Sequence, residues 1–217
     1  MKNKKFAISN VCYALLVVVF CVFLTTACGS KEVEKNNDTQ EKEENTKTNF
    51  LDNDKSYFFL LDGKKYYAGD KISILEKVGY TMKDSEKNSN APAGKYIIGA
   101  GYMINSEKVT AFRVTPYNIE KNDLTVGETV IGGFSMDDFY AKKDAKAANI
   151  EIYGKIKIGS TKSDVEKAFG PTDDITEGTN YTVYRYRSSQ VFRSFTIRFD
   201  ENDIVNSIEW QNLVFNR

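Results

Sequence analysis

Hydrophobic and polar positions divide the chain into three stretches of different character. Residues 1–5 are short and basic, and residues 11–24 form a 14-residue apolar run of Val, Leu, Phe, Cys, Ala and Tyr. That length suits the h-region of a secretory signal and falls short of the roughly 18–20 residues that span a bilayer. Residues 29–49 (GSKEVEKNNDTQEKEENTKTN) contain one large apolar residue, Val33. Such a segment buries too little surface to offset its ordering entropy, so it is expected to be a disordered tether with an end-to-end distance of about 25 Å. It carries no apolar stripe at helical spacing, which argues against a helix lying on the membrane.

Beyond the tether the pattern becomes that of short strands and helices. In residues 156–171 (IKIGSTKSDVEKAFGP), Ile156 and Ile158 alternate with lysines, Gly159 opens a turn, and Thr161 with Asp164 forms a near capping box. Val165, Ala168 and Phe169 then share one helical face, and Gly170-Pro171 stops the helix. Three alternating segments follow: Tyr184/Tyr186 with Arg185/Arg187, Phe195/Ile197/Phe199 with Thr196/Arg198, and Ile208/Trp210 with Glu209/Gln211. They predict an antiparallel meander with an aromatic face on the helix and an Arg/Glu face toward solvent.

A weaker version of the pattern lies upstream. Residues 57–61 and 64–67 flank Asp62-Gly63, a hairpin turn signal. A short helix with Ile72, Leu75 and Val78 between Gly69 and Gly79 follows, then strands over 95–104 and 109–115. Residues 125–135 read as strand, 136–148 as a short helix or an ordered loop, and 149–153 as strand again. The similarity of Leu75-Glu76-Lys77-Val78-Gly79 to Val165-Glu166-Lys167-Ala168-Phe169-Gly170 is read as two diverged copies. The expected fold class is therefore α+β, with two small units, each a short helix packed on an antiparallel β-meander. The expected boundaries are a signal at 1–27, a lipidated cysteine and tether at 28–52, a first unit at 53–122 and a second at 123–217.

Composition and charge narrow the functional classes. Residues 1–27 carry Lys2, Lys4 and Lys5 and no acid, so their removal leaves 27 basic residues against 30 acidic, a net charge of −3. No broadly basic surface is present to neutralise nucleic-acid phosphates. The three cysteines are Cys12, Cys21 and Cys28, the first two inside the apolar run, and histidine is absent. A chain cut before Cys28 has one thiol and no imidazole, which removes most zinc and copper sites and the usual nucleophilic triads. No cofactor is expected.

Leu24-Thr25-Thr26-Ala27-Cys28-Gly29 resembles the lipobox of bacterial lipoproteins, with leucine one place further from the cysteine than is common. The resemblance implies diacylglycerol on Cys28, cleavage before it, and attachment to the extracytoplasmic face of the cell membrane by two acyl chains. The competing reading is an uncleaved membrane helix over 6–27. In both, the lysines before the apolar run place the rest of the chain outside. Gly159-Ser160-Thr161, Val165 and Phe169-Gly170, followed by the aromatic meander, resemble the small-lipoprotein superfamily of the outer-membrane assembly factor BamE (SmpA) and the β-lactamase inhibitory protein. It also looks like lipoproteins of low-GC Gram-positive bacteria. The resemblance covers about 60 residues, and proline follows Gly170 one residue earlier than the motif has it. It implies protein binding through the sheet rather than catalysis, with no active-site residues to carry over.

The candidate partner-binding residues are Arg185, Arg187, Arg198 and Glu209, expected on one exposed sheet face, where a solvated surface with cross-strand ion pairs is the plainer reading. Asp200-Asn202-Asp203 and Asp52-Asn53-Asp54 lack the glycine and distal glutamate of a calcium loop and read as turns. Asp137-Asp138 and Asp173-Asp174 are adjacent pairs, not two carboxyls facing across a cleft. Gly99-Ala100-Gly101 reads as close backbone packing or a bulge. Tyr66, Tyr67, Tyr181, Tyr184 and Tyr186 could stack on a glycan or form half-buried sheet positions. The leading expectation is a non-enzymatic, lipid-anchored binding or accessory protein with an envelope protein as partner. The alternative is a ligand-binding lipoprotein serving an envelope transporter or wall enzyme.

Overall fold

The computed structural model describes residues 49–214. The signal segment, Cys28 and the tether through residue 48 lie outside the described residues. Asn49 accepts a hydrogen bond from the Leu51 N–H and caps a 3-10 turn at Phe50–Asp52, and Asn53 caps a second at Asp54–Ser56. The hairpin β1 (Phe58–Leu61) and β2 (Lys64–Tyr67) turns at Asp62-Gly63, both at positive φ, as a two-residue turn of that type requires. A seven-residue 3-10 helix at Ile72–Val78 follows, then α1 (Asp84–Lys87), β3 (Asn90–Ala91), β4 (Tyr102–Ile104), β5 (Thr110–Tyr117) and β6 (Leu124–Thr125). The middle of the chain forms β7 (Val130–Asp137), α2 (Asp138–Ala141) and β8 (Glu151–Ile152). The last part forms α3 (Lys162–Phe169), β9 (Ile175–Glu177), β10 (Tyr181–Arg187), β11 (Arg193–Asp200) and β12 (Val205–Asn212).

These elements correct the expected fold class. The protein is mostly β, built on one seven-stranded antiparallel sheet in the order β4-β5-β7-β12-β11-β10-β9, with a three-stranded sheet β2-β1-β8 and a two-stranded sheet β3-β6. Two separate helix-on-meander units are absent for two reasons. First, β7, which lies in the range expected for the second unit, pairs with β5 of the first (Arg113 opposite Ser135) as well as with β12 (Phe134 opposite Trp210, Ser135 opposite Glu209), so strands of both ranges join in one sheet. Each range alone would leave an edge of unpaired N–H and C=O groups, and pairing removes both edges at once. Second, the upstream helix is 3-10, not α. Its sequence ISILEKV is rich in β-branched residues, and its ends are pinned, Ile72 N–H donating to Thr129 and Gly79 closing the turn at φ 89.

A junction recurs where a repeated unit was expected. Gly69 N–H donates to Ile131, Ile131 to Asp70, and Ile72 to Thr129, at 2.8, 2.9 and 3.1 Å. The same three bonds join Gly159 to Val205, Val205 to Ser160, and Lys162 to Asp203, at 2.9, 2.8 and 2.9 Å. Each ties the turn before a helix to the start of a final strand. Downstream the helix is α, and Thr161 and Asp164 complete a reciprocal capping box at its start.

The inner face of the large sheet carries the core. Phe59 of β1 stacks on Phe134 at 4.7 Å, Tyr57 on Phe195 at 4.9 Å, and Phe169 of α3 meets Phe195 at 5.2 Å. The hairpin and α3 thus cover one face of the sheet, and Phe59, Phe134, Phe195, Ile208 and Trp210 are fully buried beneath them. Phe50 stacks on Tyr153 at 4.9 Å and Leu51 is buried, so residues 50 and 51 belong to this layer.

Candidate functional site

Strand alternation sends every second side chain to the outer face of the seven-stranded sheet. The registers set Arg185, Thr196, Glu209, Ser135, Arg113 and Tyr102 side by side in one row across β10, β11, β12, β7, β5 and β4. Arg187, Ser194 and Gln211 form the row on one side, and Val183, Arg198, Ser207 and Asp137 the row on the other. Arg185, Arg187, Arg198 and Glu209 therefore share a face, in three neighbouring rows.

Their partners differ. Arg185 reaches Asp174 at 3.6 Å and donates to Thr176 at 2.8 Å, and Arg187 reaches the same Asp174 at 3.2 Å. Arg198 donates from Nε to Asn206 at 2.9 Å. Glu209 accepts a 2.9 Å hydrogen bond from the side-chain amide of Gln211 and has no cationic partner among the described residues. Arg113, which sequence reasoning passed over, donates from Nε to Ser135 at 3.1 Å and lies 5.5 Å from the Tyr102 ring.

Part of this face is roofed into a groove of about 260 Å³. Its floor carries Arg113, Ser135, Glu209 and Gln211, and its walls are residues 96–100 and Phe192. The first wall is an edge segment bulged outward. Ile97 N–H donates to Pro116 and Val114 N–H to Gly101, at 2.8 and 2.9 Å, so the chain is pinned on both sides while Ile98, Gly99 and Ala100 stand clear. Gly101 sits at φ 87, where an added Cβ would lie 1.8 Å from the Val114 carbonyl oxygen. Only glycine permits that approach. The Glu86 carboxylate accepts from the N–H groups of Gly101 and Tyr102 and fixes the segment from behind.

The second wall comes from the β10–β11 turn. Phe192 holds φ 69, a left-handed conformation that costs a non-glycine residue about 1–2 kcal/mol. It nevertheless leaves 52% of its surface exposed, beside Val191 at 71%, and Ile98 opposite is 83% exposed. The rings of Tyr96 and Phe192 approach to 5.9 Å and join the two walls. Of the six large apolar side chains exposed among the described residues, Ile98 and Phe192 line this groove and Val191 adjoins Phe192 in sequence.

The other candidates resolve into structural roles. Asp137 caps α2 through the Tyr140 N–H, and Asp138 pairs with Lys142 at 2.8 Å. Asp200 accepts from the N–H groups of Asn202 and Ile204 in a hairpin turn, and Asp203 pairs with Lys162 at 3.4 Å. Tyr66, Tyr184 and Tyr186 are buried and do not form an exposed stacking platform. Among the described residues no three acidic, histidine or cysteine side chains gather as a metal site, and no helix is long and apolar enough to cross a membrane.

Two buried polar sites escaped the sequence reading. Arg193 is 3% exposed and holds Asp54, Asn212 and the carbonyl of Val214. A signal was present: Arg193 has the same strand phase as buried Phe195 and Ile197. Asp144 lies beside a wide surface depression, accepting from Tyr80 Oη at 3.1 Å and Asn105 Nδ2 at 2.8 Å. Burial alone would raise this carboxyl, but hydrogen bonds from Ala147 N–H, Asn105, Tyr80 and Lys146 N–H outweigh it and hold it below the usual range. Burial, with the Asp144 charge adding to it, pushes the Tyr80 hydroxyl far up, so it remains a donor.

No protein-family model, curated protein or solved structure matches the chain.

Proposed function

We propose that this chain is a lipid-anchored, extracytoplasmic lipoprotein that acts as a non-enzymatic protein-binding or accessory module of the cell envelope, using the outer face of its seven-stranded sheet. The observation that carries the reading is the contrast between the two faces. The inner face is covered by the hairpin and α3, whereas the outer face presents a groove with exposed Ile98 and Phe192 over a polar floor. Large apolar side chains clustered and exposed on an otherwise polar surface mark a site of interaction. The anchor rests on the lipobox-like Leu24–Cys28 stretch, and the sheet-binding habit agrees with the resemblance to the BamE and β-lactamase-inhibitory-protein superfamily.

Two measurements test this reading. Fatty-acid labelling in cells should mark the wild type and not Cys28→Ala, and equal labelling of both defeats the anchor. A photo-crosslinking residue at Ile98 should give discrete protein adducts that one at Lys167, on the exposed side of α3, does not. Absence of adducts at Ile98 defeats the binding face.

A further inference from the structure

Glu209 occupies the middle of the outer row, with Arg185 and Arg113 each two strand spacings away, about 10 Å. Neither arginine pairs with Glu209: Arg185 is neutralised by Asp174 and donates to Thr176, while Arg113 donates to the neutral Ser135 hydroxyl and lies by the Tyr102 ring. The Glu209 carboxylate is left with a neutral amide, Gln211, on the floor of a groove whose rim is apolar. A half-buried carboxylate without a cation, beside exposed Ile98 and Phe192, is complementary to a cationic side chain adjoining an apolar one.

We infer that the groove takes an extended segment of a partner protein carrying a lysine or arginine within a few residues of a large apolar side chain. The apolar side chain packs between Ile98 and Phe192, and the cation reaches Glu209. The volume of about 260 Å³ is enough for a pair of side chains. Hydrogen bonds at Ile97 and Gly101 fix the two ends of the bulged wall, and the Tyr96–Phe192 ring contact ties it to the other wall. This inference rests on the protein-binding reading and adds the chemistry of the partner.

The test probes an immobilised positional-scanning library of octapeptides with the full-length chain in detergent micelles. The wild type should enrich peptides that join a large apolar residue to Lys or Arg. Glu209→Gln should lose the Lys/Arg preference at least ten-fold while keeping the apolar one. Gln211→Lys, which seats an ammonium group beside an intact Glu209, should do the same, so that a folding defect in either variant is not the explanation. Ile98→Ala with Phe192→Ala should lose the apolar preference. Enrichment of acidic peptides, no enrichment, an unchanged Lys/Arg preference in Glu209→Gln, or capture of wall glycan in place of peptide overturns the inference. An unchanged Lys/Arg preference in Glu209→Gln, with crosslinks at Ile98 present in the wild type, removes the cation and leaves the protein-binding reading standing. Absence of crosslinks removes both.

Discussion

The buried guanidinium of Arg193 holds the half-exposed carboxylate of Asp54, 139 residues away in sequence. The pair fastens the first turns of the described chain to the start of β11 and, through Asn212 at 3.0 Å, to the end of β12, with Arg193 also reaching the Asp52 carbonyl at 3.2 Å. Asp54→Asn removes the countercharge and leaves neutral acceptors in place. It should cost about 2 kcal/mol, less than the loss of a fully buried pair, because Asp54 is already half in water. Urea unfolding measures the cost, and limited proteolysis should show earlier cleavage within residues 49–56.

Gly101 and Gly63 both hold positive φ, but only Gly101 has a neighbour where a side chain would go. Gly63→Ala should cost about 1 kcal/mol, the conformational penalty alone. Gly101→Ala adds a collision with the Val114 carbonyl and should cost at least about 2 kcal/mol, or displace the wall of the groove. Thermal unfolding of the two variants, with crosslinking at Ile98 as a second readout, separates these effects.

Tyr57 and Tyr66 are both fully buried, yet their hydroxyls differ. Tyr57 Oη donates to the Leu51 carbonyl at 2.8 Å, whereas Tyr66 Oη has no partner among the described residues. Tyr57→Phe should lose about 1 kcal/mol, and Tyr66→Phe should be neutral or stabilising, because it removes an unpaired buried hydroxyl. Equilibrium denaturation of the two variants side by side decides it.

The Asp144 carboxyl gives a pH-dependent contribution of known sign. Its folded value lies below the ordinary one. Its stabilisation is therefore complete above an unfolded-state value of about 3.9 and is lost as pH falls through the lower folded value. Asp144→Asn should be about 1–2 kcal/mol less stable than the wild type at pH 7. The gap should narrow below about pH 4, which urea unfolding at pH 7, 5 and 3 measures.

Much of the local structure is legible in the residues. Asp62-Gly63 marks the first hairpin, Thr161 and Asp164 the start of α3, and the alternations around Tyr184, Ile197 and Trp210 the strands β10 to β12. The same alternation puts Arg185, Arg187, Arg198 and Glu209 on one face. Within the strand expected over 95–104, Gly99-Ala100-Gly101 already marks close backbone packing or a bulge, and Gly101 does approach the Val114 carbonyl closely. Phe192 looks like a core residue in sequence and stands exposed because the turn holding it adopts left-handed backbone. Arg193, written beside it, is buried because strand phase outranks charge once Asp54 and Asn212 supply acceptors.

Periodicity and turn chemistry are properties of a few adjacent residues, so the sequence by itself determined the strand meanders, the capped helix and the apolar run before Cys28. Which strand lies beside which is a property of the whole chain. Only the tertiary structure decided that β7 pairs with β5 on one side and β12 on the other, turning two expected units into one seven-stranded sheet. That same pairing sets Ser135 beside Glu209 and brings residues 96–100 over strands from the far end of the chain. The reason is physical: an open sheet edge seeks hydrogen-bond partners wherever the fold supplies them, and no local pattern records which edge it will meet.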